Sequence, residues 1–182
     1  MNSNAHIHDK RDIAIITEGE FDAKVLKKLL SDKAFNNHID ILPANGYSSA
    51  LSKVKSLLTL RNKKVILLLD TDTVENDAIK EKEDFVNYYI NTTLNKDNFK
   101  AFWAIPEFEI VFLNNKKFVE ELTHQTINDE LMEFAKTSPK KLLATISKQN
   151  REQYMTLLDN EEIREEFFKD GLIKEIYDYI DQ

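Results

Sequence analysis

The segment VILLLDTDT, residues 65–73, constrains the fold more than any other stretch of the chain. Its aliphatic run is apolar on both faces of a strand, which is typical of a parallel sheet covered by helices on both sides. The run ends in Asp70 and Asp72, two like charges one residue apart. In such sheets ligands bind beyond the carboxyl ends of the strands. We therefore interpret the two aspartates as candidate site residues at one edge of a buried sheet.

Strand-like segments alternate with helical ones through residues 12–113. Apolar residues at helical spacing separate the predicted strands. Pro106 is expected to end the fourth strand or to mark an edge of the sheet. The predicted strands lie in DIAIITEG (12–19), in IDILPANG (39–46), which ends in a turn, in KKVILLLDTDT (63–73) and at the beginning of FKAFWAIPEFEIVFL (99–113). The alternation predicts an α/β fold with a mainly parallel sheet of about four strands flanked by helices.

The chain divides into three predicted regions. Residues 1–11 are polar and are predicted to form a flexible tail, and residues 12–113 form the α/β core. Residues 114–182 contain no strand-like run, and we predict an α-helical extension packed on the core. It is expected to contain three or four helices, with breaks near Ser138-Pro139 and Asp159-Asn160.

Composition and charge exclude several classes of protein. A net charge of −7 argues against gripping nucleic acid through a broad basic face, but not against meeting phosphates through bound cations. The absence of cysteine excludes disulfides and thiolate metal sites. No apolar stretch approaches the roughly 20 residues that span a bilayer, and the N-terminal residues lack the apolar segment of a signal peptide. We expect a cytoplasmic protein without membrane association.

Carboxylates follow three of the predicted strands. Because the carboxyl ends of neighbouring parallel strands meet at one edge, these side chains are expected to converge there. They are Glu18 and Asp22 after the first strand, Asp70 and Asp72 after the third, and Glu107 and Glu109 after the fourth. Side chains alternate between the two faces of a strand, so Glu107 and Glu109 would lie on the same side. The sequence therefore does not show which of the two is the site residue. An aspartate after a buried strand also serves as a helix cap or turn former, which is the structural alternative.

Converging carboxylates predict a divalent metal site. Like charges a few ångströms apart raise each other's pKa, and a hard cation such as Mg²⁺ or Mn²⁺ offsets that cost. Two such ions about 4 Å apart would clamp the attacking and leaving oxygens of a phosphodiester displacement. Gly19 fits this interpretation, since a residue without Cβ lets backbone or phosphate approach the acidic side chain closely.

The motifs IITEGEFDAKVLKKLL and VILLLDTDT, with LPANGYSSAL between them, resemble the Toprim domain of topoisomerases, primases, repair proteins and nucleases. The resemblance implies a Rossmann-like catalytic core with bound Mg²⁺. Glu18 would be the general base or a metal ligand, and Asp70 and Asp72 would hold the metal. Asp22 would support the site or bind a second metal ion.

AIPEFEIVFL resembles the IE-x-x-L segment of the nuclease in the OLD (overcoming lysogenization defect) family. This match implies that Glu109 is an additional metal ligand. SPKKLL resembles a later segment that supplies a lysine near the scissile phosphate. Lys140 and Lys141 are the candidates, with Lys141 as the catalytic assignment; a solvated helix start is the alternative. The chain has no ATPase P-loop, so we expect a stand-alone Toprim nuclease acting on DNA or RNA.

Two other classes stay open at this point. VILLLDTDTV also resembles the first motif of haloacid-dehalogenase-type phosphatases, in which Asp70 would be the nucleophile and Asp72 the acid–base. Two predicted strand–helix units precede the motif, which argues against that class. A non-catalytic Toprim-fold module is the other alternative. It would bind nucleic acid or regulate a protein partner such as a separate ATPase or, in a homodimer, a second copy, and the amphipathic tail suits pairing with another subunit.

Overall fold

The core of the protein is a four-stranded parallel sheet, which confirms the predicted α/β class. The computed structural model describes residues 12–33, 35, 38–61, 63–124, 128–147 and 151–182. The predicted tail at 1–11 lies outside these ranges. The strands are β1 (Asp12–Thr17), β2 (His38–Pro43), β3 (Lys64–Asp70) and β4 (Phe99–Ala104). Their order in the sheet is β2-β1-β3-β4.

Helices connect the strands and cover both faces of the sheet. The connecting helices are α1 (Glu20–Leu30), α2 (Tyr47–Arg61) and α3 (Asn76–Asn91), with a short 3-10 turn at Lys96–Asn98. One apolar cluster joins the sheet to α2 and α3 through side chains such as Val54 and Val86. A second cluster joins the opposite face to α1 and to the C-terminal helices. Because both faces are covered, the two central strands β1 and β3 are buried along almost their whole length, as the sequence of β3 indicates.

The C-terminal region is helical, as predicted, but it is divided more finely than expected. Among the described residues its helices are α4 (Ile110–Asn114), α5 (Lys116–Thr123), α6 (Asp129–Thr137), α7 (Pro139–Ile146), α8 (Arg151–Leu157), α9 (Glu161–Glu166) and α10 (Gly171–Asp181). The breaks predicted near 138–139 and 159–160 are present. The predicted number of three or four was wrong because Asn115, Asn128 and Asn160 each begin a helix by accepting backbone N–H groups.

The fourth strand ends just before Pro106, as the sequence predicted. It ends at Ala104, and Pro106 has no N–H with which to continue the ladder. The chain then turns at Glu107–Glu109 and enters α4, whose apolar side chains are buried. The apolar cluster on the α1 face contains residues on both sides of residue 113. The boundary placed there therefore stays a prediction.

A helix crosses a membrane only if it is both long enough and apolar enough. In the part of the chain that the structure describes, no helix combines the length and the apolar character that crossing a membrane requires.

Candidate functional site

The carboxyl ends of β1 and β3 lie side by side and form a crevice. Thr17 of β1 pairs with Leu68 of β3, and Asp70 of β3 pairs with Ala104 of β4. The chain leaves β1 for β2 on one side and then crosses over β1 to reach β3 on the other. A reversal of this kind opens a crevice beyond the strand ends, where ligands bind in open α/β sheets. Glu18 follows β1 directly, and Asp70 ends β3.

The turn between β1 and α1 places Asp22 beside the backbone of Gly19. The Gly19 amide donates a 3.2 Å hydrogen bond to Asp22 Oδ2. A Cβ at residue 19 would lie 3.1 Å from the same oxygen, so the missing side chain makes room for the carboxylate. Burial raises the pKa of Asp22, while the Gly19 amide and the Lys140 charge lower it less. The sequence predicted that Gly19 lets an acidic side chain and the backbone come close together, and the Asp22 carboxylate is the side chain that does so.

Asp70 is the most strongly perturbed acid of the crevice. Burial, and after it the nearby carboxylates of Asp22 and Glu109, raise the pKa of Asp70 to about 8. The Phe108 amide donates a 2.9 Å hydrogen bond to Asp70 Oδ1, which lowers the pKa by less. The pKa of Glu18 is also raised, first by burial and then by Asp72. These mutual shifts show that carboxylates from three separate segments lie within electrostatic range of each other.

The structure distinguishes Glu109 from Glu107 as the fourth carboxylate of the site, a choice that the sequence left open. Both lie in the turn after β4 rather than on a strand, so the predicted alternation does not apply. Glu109 is buried, and burial raises its pKa. Glu107 is half-buried and accepts a 3.1 Å hydrogen bond from the Lys140 amide. Glu109 therefore joins Glu18, Asp22 and Asp70 in what we call the acidic crevice.

Asp72 is oriented differently from the expected metal ligand. Its backbone has φ of 55°, in the left-handed region, and its amide donates to the Pro106 carbonyl at 2.8 Å. Its exposed side chain makes an ion pair with Lys82 of α3, with Lys82 Nζ 2.9 Å from Asp72 Oδ2. Lys82 Nζ also donates to the Thr71 carbonyl at 2.5 Å. In this arrangement Asp72 borders the acidic crevice and is neutralised by a lysine.

Basic side chains from the C-terminal helices border the crevice. Lys140 and Lys141, at the start of α7, line an open cleft of about 350 Å³ together with Asp72 and Glu107. Arg151, at the start of α8, lies 3.9 Å from Glu109 Oε1 and packs 4.7 Å from the centre of the Phe21 ring. The C-terminal helices thus bring positive charge to an edge that is otherwise acidic.

The carboxylates do not form a closed ligand set. Over the described ranges, no three histidine, aspartate or glutamate side chains are close enough together to enclose a metal ion as they stand. Asp22 and Asp70 each accept a backbone amide, and Asp72 pairs with Lys82. The predicted metal role of Glu18, Asp22, Asp70, Asp72 and Glu109 therefore stays a prediction.

Sequence reasoning did not identify Lys82 or Arg151 as site residues. Lys82 follows Asp72 by ten residues and lies on the face of α3 that turns toward the carboxyl edge. Its helical position could have suggested this contact. Arg151 is distant in the sequence, and only the packing of α8 against α5 and its neighbours brings it to Glu109. No local pattern marks it.

Comparison with known proteins supports the core assignment. Residues 13–81 match the family model of the Toprim domain. The matched segment contains Glu18, Asp22, Asp70 and Asp72 but not Glu109 or the lysines of α7. Toprim domains typically handle phosphodiester bonds with a metal ion. The match does not single out the OLD family, and no curated protein or solved structure gives a significant match.

Proposed function

From a Toprim domain at residues 13–81, we propose that this chain is a divalent-metal-dependent nuclease that cleaves DNA or RNA, with a catalytic site like that of OLD-family nucleases. The observation that carries the proposal is the acidic crevice itself. Burial and neighbouring carboxylates raise the pKa of Asp70 to about 8. Such an arrangement is costly without a cation, and perturbed acids of this kind cluster at functional sites.

The chemistry of the crevice fits a Mg²⁺ or Mn²⁺ ion. All four side chains offer carboxylate oxygens, the ligands that hard divalent ions prefer, and no softer donor competes in the crevice. Glu18, Asp22, Asp70 and Glu109 would hold the metal, and Asp72 would join after exchanging Lys82 for the cation. Mg²⁺ binds through few carboxylates and keeps several waters, so an open ligand set suits it. When bound, the ion would activate water and neutralise charge on the phosphate.

The side chains of the protein have distinct roles in this proposal. Glu18 accepts a proton from the attacking water, and its raised pKa brings it closer to the working pH. Lys141 and Lys140, across the cleft from Asp72, hold the phosphate and offset its negative charge. The Phe108 amide fixes the Asp70 carboxylate so that it keeps its orientation during the reaction.

A non-catalytic binding or regulatory module is the second candidate, and one contact favours it. The Lys82–Asp72 ion pair occupies the carboxylate that a Toprim enzyme would turn toward its metal. In that case the fold would bind nucleic acid or a protein partner, such as a separate ATPase or a second copy in a homodimer, without cleaving.

A cleavage panel tests the proposal. Single- and double-stranded DNA and RNA are incubated with the protein in Mg²⁺, Mn²⁺ or EDTA. Cleavage is expected with either metal and not with EDTA. Asp70→Asn and Glu18→Gln should each lower the rate by at least about a hundredfold. The matched control is Asp97→Asn, which changes an exposed carboxylate just before β4, at the opposite end of the sheet.

Metal binding is measured separately from cleavage. Electron paramagnetic resonance of Mn²⁺ should show binding to the unmodified protein and a large loss of affinity in Asp70→Asn. If no substrate is cut in either metal while Mn²⁺ still binds, the non-catalytic module is correct. If both Asp70→Asn and Glu18→Gln keep full cleavage, the acidic crevice is not the active site.

A further inference from the structure

Beside the acidic crevice, three aromatic rings form a continuous surface that we call the aromatic strip: Tyr47, Phe85 and Tyr89. The ring centres of Tyr47 and Phe85 are 6.4 Å apart, and those of Phe85 and Tyr89 are also 6.4 Å apart. The Phe85 and Tyr89 rings are stacked at 23° to each other. Lys55 Nζ lies 5.0 Å from the centre of the Tyr89 ring. A cation therefore caps one end of the strip.

Phe85 is not explained by the packing of the core. Its side chain is 51% exposed, and it belongs to neither apolar cluster, whereas Tyr47 and Tyr89 pack against the cluster beneath α2 and α3. Two anchored tyrosines thus hold a phenyl ring at the surface. Together the three neighbouring rings offer an aromatic surface, with the exposed Phe85 ring at its centre, on which a planar ligand can stack.

Two contacts connect the aromatic strip to the acidic crevice, one through α2 and one through α3. The amide of Gly46, the residue before Tyr47, donates a 3.0 Å hydrogen bond to the Glu18 carbonyl. Lys82, one helical turn before Phe85, holds α3 to Asp72. A molecule lying on the strip would therefore reach the crevice without leaving the surface.

We propose that the aromatic strip binds the unpaired bases of a single-stranded nucleic acid and leads that strand into the acidic crevice. This inference rests on the proposed function, and it narrows the substrate to single strands or to duplexes with unpaired ends. Bases in a duplex stack on each other, so only unpaired bases offer a face to Phe85. The choice of nucleic acid over protein rests on Lys55 beside Tyr89 and on continuity with the crevice. Because the chain carries a net charge of −7, stacking rather than phosphate contacts must supply much of the affinity.

Binding is measured in EDTA, so that the result does not depend on catalysis. Fluorescence anisotropy compares a labelled oligo(dT) strand, an oligo(U) strand, an abasic strand of the same length and a DNA duplex. The unmodified protein should prefer the two strands that carry bases. Phe85→Leu keeps an apolar side chain but removes the ring, and it should weaken binding of those strands by about 5- to 150-fold. Affinity for the abasic strand should stay within about twofold.

Two further variants make the result specific. Phe85→Trp restores a ring and should restore binding. Tyr88→Ala removes a more exposed ring from the same helix but outside the aromatic strip, and it should leave affinity within about twofold. Thermal unfolding of each variant checks that the fold is intact.

Several outcomes would overturn the inference. Equal affinity of Phe85→Leu and the unmodified protein would do so, as would an equal loss on the abasic strand. Self-association that Phe85→Leu abolishes, without binding of any strand, would assign the aromatic strip to a protein interface. If the protein cleaves nucleic acid with metal but Phe85→Leu binds the strands as well as the unmodified protein, the aromatic strip is not the binding surface, and the nuclease proposal stands. If binding depends on the bases but no substrate is cleaved, the binding role of the aromatic strip stands, and the nuclease proposal is wrong.

Discussion

The hydrogen bond from the Phe108 amide to Asp70 Oδ1, 2.9 Å long, joins the end of β3 to the turn that carries Glu109. It links the segment with the Asp-x-Asp motif to a carboxylate that lies outside the Toprim match. In the other direction, the Asp72 amide donates a second hydrogen bond to the Pro106 carbonyl at the start of the same turn. The ends of β3 and β4 therefore hold each other in place on one side of the acidic crevice.

The stability of the metal-free protein should fall as pH rises from about 5.5 to 8.5. Burial and the neighbouring carboxylates together raise the folded-state pKa of Asp70 from 3.8 to about 8. The folded protein then binds this proton more tightly than the unfolded chain, so deprotonation destabilises the fold. We expect a loss of about 1–3 kcal/mol over this range. Thermal unfolding in EDTA at the two pH values measures it, and Asp70→Asn should flatten the dependence. Parallel pH curves for the two proteins would contradict the pKa assignment.

Gly19→Ala should impair the acidic crevice while leaving the fold in place. A Cβ there lies 3.1 Å from Asp22 Oδ2, so the carboxylate must move by a few tenths of an ångström. The φ of −111° at residue 19 is accessible to alanine, so backbone strain is not expected. We expect cleavage to slow by roughly tenfold, since small misplacements near a reacting centre are costly. Circular dichroism should be unchanged. Wild-type activity in Gly19→Ala would mean that the position of Asp22 does not matter.

Lys82→Met should change the pH–rate profile of cleavage. Burial and Asp72 raise the pKa of Glu18, and the Lys82 ammonium lowers it. Without that ammonium the pKa rises, so the base loses its proton only at higher pH. The acid limb of kcat/KM should therefore move to higher pH. The ion pair with Asp72 is exposed, so stability should change by less than about 1 kcal/mol. Lys80→Met, on the exposed surface of α3, is the control and should leave the profile in place.

Arg151→Gln should weaken substrate binding more than it slows the chemical step. The Arg151 guanidinium is positioned by Phe21 and lies 3.9 Å from Glu109 Oε1, beside a cleft of about 230 Å³. An arginine so placed can contact a phosphate of the bound strand. We expect KM to rise by about tenfold and kcat to change by less than threefold. Steady-state kinetics measures both, with Lys169→Gln at an exposed ion pair as control. A fall in kcat with KM unchanged would place Arg151 in the chemical step instead.

The sequence predicted the sheet well because its signals are local. The buried run of β3 and the glycine after β1 fix where two strands end, and parallel pairing then brings Glu18 and Asp70 to one edge. Pro106 correctly indicated where β4 ends, but the short helix α4 after it was not predicted, because FEIVFL is compatible with a strand and with one buried helical turn. Only the tertiary contacts of Phe108 and its neighbours decide between them.

The electrostatics of the acidic crevice could not be predicted in the same way. The Lys82–Asp72 ion pair depends on the left-handed backbone at Asp72, which the motif does not encode. The raised pKa of Asp70 depends mainly on burial, which is a property of the assembled fold. The position of Arg151 depends on how α8 packs against helices that lie far from it in the sequence.

The apolar cluster on the α1 face has a consequence for engineering. Side chains of α5, α7, α8 and α10 cover the sheet there, among them Phe118, Leu142 and Ile176, which are almost completely buried. A fragment trimmed to the Toprim-matching segment would leave that apolar surface in water and would lose Glu109 as well. Transplanting the acidic crevice into another scaffold would therefore require the whole α/β unit together with its helical cover.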